Sequence, residues 1–295
     1  MKKFLLATRP SFLTITLLGC FIGISGHPTE VKWAISIFGT LLALMAHAAA
    51  NLLNDYHDFL NGTDELNVGR IYPFTGGSRF IQNKELTSSQ IKWFSLSLFL
   101  LVICCGISLA ILTTGKLIWV GIVGISLGWI YSSPPLKLMA RGILGEIAIS
   151  ITWSLIVIGT YLLNSSILSP KIIFLALAYG ITISSILFIN QIPDIDADKS
   201  VGKNTLAVSF PENQLSLLYL IIAVIPHLII FIGYVFQCLN PIYLLSFLAY
   251  PIQIHVGQNL QSAIKSKNKF KRLIIETIIA SHIVGLLFIF SNLIS

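Results

Sequence analysis

Long apolar segments recur along the whole chain, separated by short polar stretches. Several of them reach the 18 or so residues that a helix needs to cross a bilayer. They show no polar–apolar alternation over about ten positions, which excludes an outer-membrane barrel. The pattern predicts an all-α, polytopic membrane helical bundle with about nine transmembrane helices. These helices are predicted at residues 11–26, 33–53, 92–113, 115–133, 142–163, 171–190, 214–236, 239–258 and 272–293.

Composition supports a membrane protein. Hydrophobic residues make up 55% of the chain and charged residues 11%, whereas soluble domains have about 25% charged residues. The apolar segments leave no room for a separate soluble domain, so residues 1–295 are predicted to form a single integral membrane domain. The first apolar segment follows a basic start, but no small-residue cleavage pattern comes after it. We interpret it as a retained helix.

The basic residues indicate an orientation. Sixteen of the 19 Lys and Arg residues fall on one side of the predicted bundle. Because cytoplasmic loops are enriched in Lys and Arg, we expect a multi-pass protein of the inner (cytoplasmic) membrane, with its N-terminus in the cytoplasm. The net charge of +7 then reflects topology and gives no reason to expect nucleic acid. The basic stretch 265–272 is suited to anionic membrane lipid.

Two acidic clusters stand out in a chain with only 12 Asp and Glu residues. The first follows the second predicted helix, and helical spacing puts Asn51, Asn54 and Asp58 on one face, with His47 one turn deeper. The second follows the sixth helix, where Asn190, Asp194 and Asp198 recur every four residues and Pro193 is expected to kink the helix. Both clusters follow even-numbered helices, so both are expected at the cytoplasmic side.

A short internal repeat accompanies the clusters. A Gly lies four residues after the last acid of each, at Gly62 after Asp58 and at Gly202 after Asp198. Since the clusters lie four predicted helices apart, the repeat suggests two related four-helix halves plus a ninth helix.

The clusters offer only carboxylate and carboxamide oxygens, the ligands that Mg²⁺ prefers. No Cys and His set has the spacing of a zinc site. Helix capping within a solvated loop would explain one such cluster, but two on the same membrane face point to a metal site. Positively charged side chains near the acids would complement the charge of a diphosphate. The general enrichment of Lys and Arg on the cytoplasmic side would also place them there without any role in binding. These cations are Arg79, Lys137, Arg141, Lys199 and Lys203. The turn 75–78 is a weak phosphate-loop signal.

The motifs resemble those of a known family. Asn-Asp-Tyr-His-Asp at 54–58 and Asp-Ile-Asp-Ala-Asp at 194–198, with Tyr131 and Lys137 between them, are similar to the UbiA superfamily of intramembrane aromatic prenyltransferases. The resemblance implies Mg²⁺, as two ions held by Asn54, Asp58, Asp194 and Asp198, which bind a polyprenyl diphosphate. It further implies transfer of the prenyl group to an aromatic acceptor.

Within this superfamily, Gly62-Thr63-Asp64 and the stretch 198–206 resemble the branch that prenylates 1,4-dihydroxy-2-naphthoate in menaquinone biosynthesis. The stretch 67–74 departs from every branch pattern, so 4-hydroxybenzoate or another quinone or lipid precursor stays open as the acceptor. A transporter is a remote alternative, because transporter sites tend to lie at the bilayer midplane. The notable residues here lie at helix ends.

The resemblance also implies roles for individual residues. Asp58, Asp194, Asp198, Asp64 and Tyr131 are the expected catalytic residues, Tyr131 offering a ring face to a carbocation. Asp64 or Asp55 could serve as base or support the metal ligands. The expected substrate-binding residues are Arg79, Lys137, Arg141, Lys199, Lys203, Asn51 and His47. The prenyl tail is expected to lie between helices and open to lipid.

Overall fold

A computed structural model describes residues 2–27 and 30–295, and most of these residues are helical. The helices are α1 (Lys2–Ala7), α2 (Pro10–Ser25), α3 (Trp33–Asn61), α4 (Thr63–Leu66), α5 (Ser88–Leu112), α6 (Lys116–Ile130), α7 (Leu144–Leu162), α8 (Pro170–Gln191), α9 (Ile195–Ser200), α10 (Leu206–Ser209), α11 (Leu215–Val235), α12 (Tyr250–Ala263) and α13 (Lys267–Ile294). Short 3₁₀ segments cover Leu138–Ala140, Ile192–Asp194, Glu212–Gln214 and Pro241–Ala249.

Two strands interrupt the helical pattern. Strand β1 (Arg141–Gly142) pairs in parallel with β2 (Asn204–Thr205). The sequence analysis did not predict this pairing, because strands of two residues carry no hydrophobic period of their own. The pairing ties the connection before α7 to the segment that follows the second acidic cluster.

The predicted membrane bundle is confirmed in its main features. Within the described residues, six helical stretches are long and apolar enough to cross a membrane, and α2 and α6 are shorter apolar helices. The predicted count of nine transmembrane helices stays a prediction. The eighth predicted helix, residues 239–258, forms instead as a 3₁₀ segment followed by α12.

The second predicted helix is longer than expected. We placed its end at residue 53, but α3 continues to Asn61. Gly62, with a φ of 77°, ends it in the left-handed conformation that glycine adopts most easily. Asn54 and Asp58 therefore lie on a regular helix rather than in a loop, and the true connection to α5 spans residues 67–87.

Helix α8 forms the centre of the bundle. Its most apolar stretch is 72% buried, a larger fraction than in any other candidate span among the described residues. Pro170 and the Ser169 hydroxyl, which accepts a hydrogen bond from the Ile172 amide at 3.3 Å, begin the helix. Its buried side chains, among them Tyr179, pack against α2, α7 and α11. Because α8 is packed by helices on several sides, its C-terminal end, where the second acidic cluster begins, has a defined position in the bundle.

Contacts between connections define two ends of the bundle. At one end, Lys116 Nζ donates to the Ser166 carbonyl at 2.7 Å, and the Lys32 amide donates to Asn164. At the other end, Lys267 Nζ donates to the Val68 carbonyl at 2.9 Å. Both acidic clusters lie at this second end, which also carries most of the basic residues.

Candidate active site

One large cavity reaches from the acidic end into the bundle. Its volume is about 740 Å³, and α2, α3, α5, α6, α7 and α8 contribute to its walls. Most of the wall is apolar, and the polar side chains gather at the acidic end. Among them are Arg9, Asn51, Asn54, Asp58, Asp64, Asn67, Tyr131, Asn190, Asp194, Asp198 and Lys203. The fold therefore brings the two predicted clusters, which lie about 140 residues apart in sequence, to one cavity.

The first cluster keeps the geometry predicted from its spacing. Asn54 Nδ2 donates to Asp58 Oδ2 at 2.9 Å, one helical turn away. Asn51 Nδ2 donates to the Thr8 carbonyl at 3.1 Å. Deeper in the cavity, His47 Nδ1 lies 2.8 Å from the Thr16 hydroxyl. Because α3 is continuous here, all of these side chains follow the cavity wall.

The second cluster differs from the prediction of one helical face. A 3₁₀ turn at Ile192–Asp194 interrupts the helix at Pro193, where a kink is predicted, and α9 begins at Ile195. Asp194 and Asp198 still line the cavity, but they do so from two elements. Asp194 also accepts hydrogen bonds from Asn67 Nδ2 at 2.7 Å and from the Gly76 amide at 3.3 Å. The loop 67–87 is thereby attached to the second cluster.

Lys203 connects the two clusters. Its Nζ lies 3.2 Å from Asp58 Oδ1 and 3.3 Å from Asp198 Oδ1. The side chain of Lys203 is 14% exposed. Burial by itself would lower the pKa of Lys203, but the neighbouring Asp58 and Asp198 carboxylates outweigh it and raise the pKa above its ordinary value. Lys203 is therefore a charged ammonium held between two carboxylates.

Asp55 and Asp64 have different surroundings. Buried Asp55 forms an ion pair with Arg9 and accepts a hydrogen bond from the Ser78 amide at 3.1 Å. Asp64 accepts a hydrogen bond from Gln82 Nε2 at 3.1 Å. Burial, together with repulsion from Asp58 and Asp55, raises the pKa of Asp64 to about 7. Asp64 thus lines the cavity as a carboxyl group that holds its proton more tightly than a free aspartic acid does.

Two amides of the turn 75–78 are bonded to protein carboxylates. The Gly76 amide donates to Asp194 and the Ser78 amide donates to Asp55. The turn also contributes Thr75, Gly76 and Gly77 to the cavity wall. The weak phosphate-loop signal of the sequence stays a prediction.

Four predicted substrate-binding cations lie outside the cavity wall. Arg79 donates to the Asp64 backbone carbonyl, Lys137 Nζ to Asn61 Oδ1 at 2.9 Å, and Arg141 Nη2 to the Pro135 carbonyl at 3.0 Å. Lys199 is exposed on α9. Their positions fit the basic bias of this end of the bundle, and their role in substrate binding stays a prediction. Of the five predicted cations, Lys203 lines the cavity.

Sequence reasoning missed Arg9 and Trp153. Arg9 was counted for topology, yet it lines the cavity and pairs with Asp55, 46 residues away. Its place just before Pro10 at the start of α2 was the available signal. Trp153, on α7, lines the cavity with its ring centroid 5.0 Å from that of His47. Nothing in its apolar sequence neighbourhood distinguished it from a core residue.

The donor set at the acidic end fits Mg²⁺ held partly by substrate. Buried oxygens of Asn54 and Asn190 have no hydrogen-bond partner, and neither does Asp198 Oδ1, although Lys203 lies near it. In the part of the chain that the structure describes, no three His, Cys, Asp or Glu side chains converge on one point. The oxygens that do line this end are carboxylate and carboxamide oxygens, the ligand types that Mg²⁺ takes alongside water and phosphate oxygens.

Comparison with known protein families shows the family to which this chain belongs. The profile of the UbiA prenyltransferase family matches residues 12–278, which is most of the chain. The chain belongs to the UbiA prenyltransferase family. The match confirms the predicted family and, with it, the predicted class of enzyme, a prenyltransferase.

Curated relatives of this UbiA-family chain include two bacterial proteins. The 1,4-dihydroxy-2-naphthoate octaprenyltransferase of Escherichia coli (strain K12) is 28% identical over 72% of this chain and 69% of its own length. The protein of the same name from Bacillus subtilis (strain 168) is 27% identical over 68% of this chain. The chain spans 63% of the length of that Bacillus relative.

Solved structures share the fold over the whole chain. A digeranylgeranylglyceryl phosphate synthase superposes with a TM-score of 0.69, at 16% identity and over 100% of this chain and 99% of the other. A UbiA homologue from Archaeoglobus fulgidus, solved with DMAPP and Mg²⁺, gives a TM-score of 0.67 at 15% identity, over 97% and 99% of the two chains. The helical bundle is thus the fold of UbiA homologues.

Proposed function

We propose that this protein transfers a prenyl group from a polyprenyl diphosphate to an aromatic acceptor, with Mg²⁺ as cofactor, and that the acceptor is 1,4-dihydroxy-2-naphthoate. The observation that carries the proposal is the single cavity in which both acidic clusters meet above a long apolar chamber. Such a chamber suits a substrate with a charged head and an apolar tail. The names of the two bacterial relatives support the acceptor and a long prenyl chain.

The proposed metal ligands are Asn54, Asp58, Asp194 and Asp198, one pair from each cluster, for one ion each. When bound there, Mg²⁺ would supply positive charge to the diphosphate oxygens and make the diphosphate a better leaving group. Asn54 is oriented for this role because its Nδ2 is bonded to Asp58, which leaves its Oδ1 unpaired. Lys203 and Arg9, which also line this end of the cavity, add positive charge near the leaving group.

The rest of the cavity would protect the reaction. Breaking the allylic carbon–oxygen bond leaves an allylic cation, which water would capture. The apolar walls from α5, α6 and α7 exclude water from this position. Tyr131, which follows α6 and lines the cavity near the acids, would stabilise the cation through its ring face. The electron-rich ring of the acceptor then attacks the cation.

For 1,4-dihydroxy-2-naphthoate the ring carbon that is prenylated loses its carboxylate as CO₂. Loss of CO₂ from the ionised carboxylate restores the aromatic ring with no net loss of a proton. A base would make the ring more nucleophilic by taking a proton from an acceptor hydroxyl during the attack and returning it after CO₂ leaves, and we assign this role to Asp64 rather than Asp55. Asp55 is already paired with Arg9 and the Ser78 amide, whereas Asp64 has a pKa near 7 and lines the cavity. A catalytic base works best when its pKa lies near the operating pH.

The membrane setting follows from the same features. A long prenyl tail is carried within lipid, so the tail and the chamber lie at the same depth. We propose that the protein sits in the inner membrane with its acidic end at the cytoplasmic face, because most Lys and Arg residues lie at that end. The diphosphate and a soluble acceptor would then enter from the cytoplasm.

A direct assay tests the proposal. The purified protein in lipid nanodiscs is incubated with Mg²⁺, a radiolabelled polyprenyl diphosphate and one acceptor at a time, either 1,4-dihydroxy-2-naphthoate or 4-hydroxybenzoate. We expect a labelled, decarboxylated naphthol product with the first acceptor and none after chelation of Mg²⁺. Product with 4-hydroxybenzoate alone would keep the prenyltransferase and reject the acceptor. Consumption of neither acceptor would contradict the proposal.

A further inference from the structure

Lys203 occupies an unusual position between the two halves of the proposed metal site. Its ammonium lies 3.2 Å from Asp58 Oδ1 on α3 and 3.3 Å from Asp198 Oδ1 on α9. The Asp58 and Asp198 side chains are 8% and 3% exposed. One cation thus stands between two nearly buried carboxylates that come from different elements.

Lys203 contacts one oxygen of each carboxylate to which no other side chain is bonded. Asp58 Oδ2 already accepts a hydrogen bond from Asn54, which leaves Oδ1 as its available oxygen. Asp198 Oδ1 has no hydrogen bond of good geometry and only the nearby Lys203 charge. An ion that binds either oxygen would therefore approach the space that the ammonium fills.

The backbone around Lys203 is anchored, so any displacement of its ammonium has to come from rotation about the bonds of its side chain. The Lys203 amide donates to the Asp198 carbonyl at 2.8 Å, and the next two residues form β2, paired with β1. From this anchored position, a four-carbon stem can carry the ammonium to a new partner. Lys203 lines the cavity, so a diphosphate bound at the acidic end would be within reach of its side chain.

We propose that Lys203 is an internal counter-ion that competes with the divalent cations for Asp58 and Asp198, one carboxylate at each of the two proposed ion sites. Before the cations bind, Lys203 balances two buried carboxylates that would otherwise repel each other across the gap between α3 and α9. With Mg²⁺ bound at these oxygens, the ammonium would turn to the diphosphate. Lys203 is thus a positioning residue, and the inference rests on the proposed function for the identity of the metal and the diphosphate.

Two simpler roles for Lys203 make different predictions. If it only bound diphosphate, its removal would leave Mg²⁺ affinity unchanged when no diphosphate is present. If it were only a structural ion pair, its removal would lower the melting temperature without strengthening Mg²⁺ binding. Competition alone predicts a variant that binds Mg²⁺ more tightly than the natural protein.

The test is a titration of the full-length protein in nanodiscs with Mg²⁺ alone, by isothermal titration calorimetry. Lys203→Met is expected to bind Mg²⁺ at least about tenfold more tightly, because it removes a unit charge only a few ångström from the ion. Lys203→Arg keeps the charge and is expected to stay within about threefold of the natural affinity. Lys137→Met, which removes a nearby cation outside the cavity, controls for long-range charge and is also expected to change little.

Thermal unfolding gives a second, independent readout. Without Mg²⁺, Lys203→Met is expected to melt below the natural protein, and saturating Mg²⁺ is expected to raise its melting temperature by more than it raises that of the natural protein. Should the Met variant fail to fold, Lys203→Gln removes the charge while keeping a hydrogen-bond donor, and it carries the same expectation. Unchanged or weaker Mg²⁺ binding in the neutral variant would overturn the inference.

The outcome separates this inference from the proposed function. Prenyl transfer by the natural protein, without tighter Mg²⁺ binding in the neutral variants, would overturn the counter-ion role and leave the function standing. Tighter Mg²⁺ binding without transfer to any aromatic acceptor would support the counter-ion role and reject the function.

Discussion

At the scale of single residues, the structure brings the predicted acidic side chains to one cavity and leaves four of the five predicted cations outside its wall. Asn54, Asp58, Asp194 and Asp198 all line one cavity, as their helical spacing and their scarcity suggested. Acidic residues are rare in this chain, so each one was a specific indication of where a functional site lies. Cations are plentiful at this end because topology demands them, and sequence alone gave no reason to prefer Lys203 over Lys199.

The carboxylates of the proposed metal site lead to a prediction about activity. Asp198→Asn is expected to lower kcat/KM for prenyl transfer by at least about 100-fold, because it removes charge that would hold the cation beside the leaving group. The matched control is Asp196→Asn, on the exposed face of the same short helix, which should retain most of its activity. Equal activity of the two variants in the radiolabel assay would refute the assignment of Asp198.

Gly77 gives a residue-scale prediction about stability. Its φ is 70°, and a Cβ added there would lie 2.5 Å from Asp64 Oδ2. Gly77→Ala therefore combines about 1–2 kcal/mol of backbone strain with displacement of the Asp64 carboxylate. Gly62→Ala is the control, because Gly62 has a φ of 77° but no atom within 4 Å of the added carbon. We expect a lower melting temperature and lower activity for Gly77→Ala, and similar values for the two variants would show that the contact is unimportant.

At the scale of elements, hydropathy located the helices but misjudged where α3 ends. Helix α3 continues eight residues past the predicted end at residue 53. The backbone hydrogen bonds of a helix do not require apolar side chains, so the helix continues after the apolar segment ends. Gly62, which caps the helix, was the better sequence signal for its end. The break before α9 was predictable from Pro193. The pairing of β1 with β2 was not, since it depends on contacts between residues about 60 positions apart.

Asp55 joins three elements, which predicts a large effect on stability. It pairs with Arg9 before α2, accepts from Ser78 in the loop 67–87, and belongs to α3. Asp55→Ala would leave the largely buried Arg9 charge unpaired, at a cost of about 3–5 kcal/mol. The exposed pair of Lys3 and Glu85, 3.4 Å apart, provides the control. Glu85→Ala is expected to change stability by less than about 1 kcal/mol.

Chemical denaturation of both variants in the same detergent would measure this difference. Limited proteolysis would then show whether the loop 67–87 becomes accessible in Asp55→Ala, as expected when its attachment to α3 is lost. A loss of stability in Asp55→Ala no larger than in Glu85→Ala would contradict the proposed role of Asp55 as a clamp.

At the scale of the whole molecule, the sequence predicted the class of fold, while the cavity emerges only from the packing of six helices. The chamber below the acids is bounded by residues from Phe12 to Leu187. No local sequence pattern distinguishes those positions. An apolar residue that faces a cavity and one that faces a neighbouring helix look the same in the sequence. The grouping of the basic connections at one end, by contrast, was readable from the order of helices and loops.

That grouping predicts how the molecule sits in the membrane. In a variant whose native cysteines are replaced by Ala, a cysteine at Lys265 should react with an impermeant maleimide only from the cytoplasmic side. A cysteine at Ser166, at the opposite end, should react only from outside. Labelling of intact cells and of inverted vesicles distinguishes the two. The reverse pattern would place the acidic end outside and would contradict the proposed entry of the substrates from the cytoplasm.

The central claim is that the cavity shared by the two acidic clusters carries out prenyl transfer. The most direct measurement follows the radiolabelled prenyl group and the released diphosphate together, in nanodiscs, with 1,4-dihydroxy-2-naphthoate and with or without Mg²⁺. The account predicts one diphosphate released for each prenylated product, with both dependent on Mg²⁺ and both lost in Asp198→Asn. Transfer that persists after chelation of Mg²⁺ or in Asp198→Asn, or the absence of any prenylated product, would contradict it.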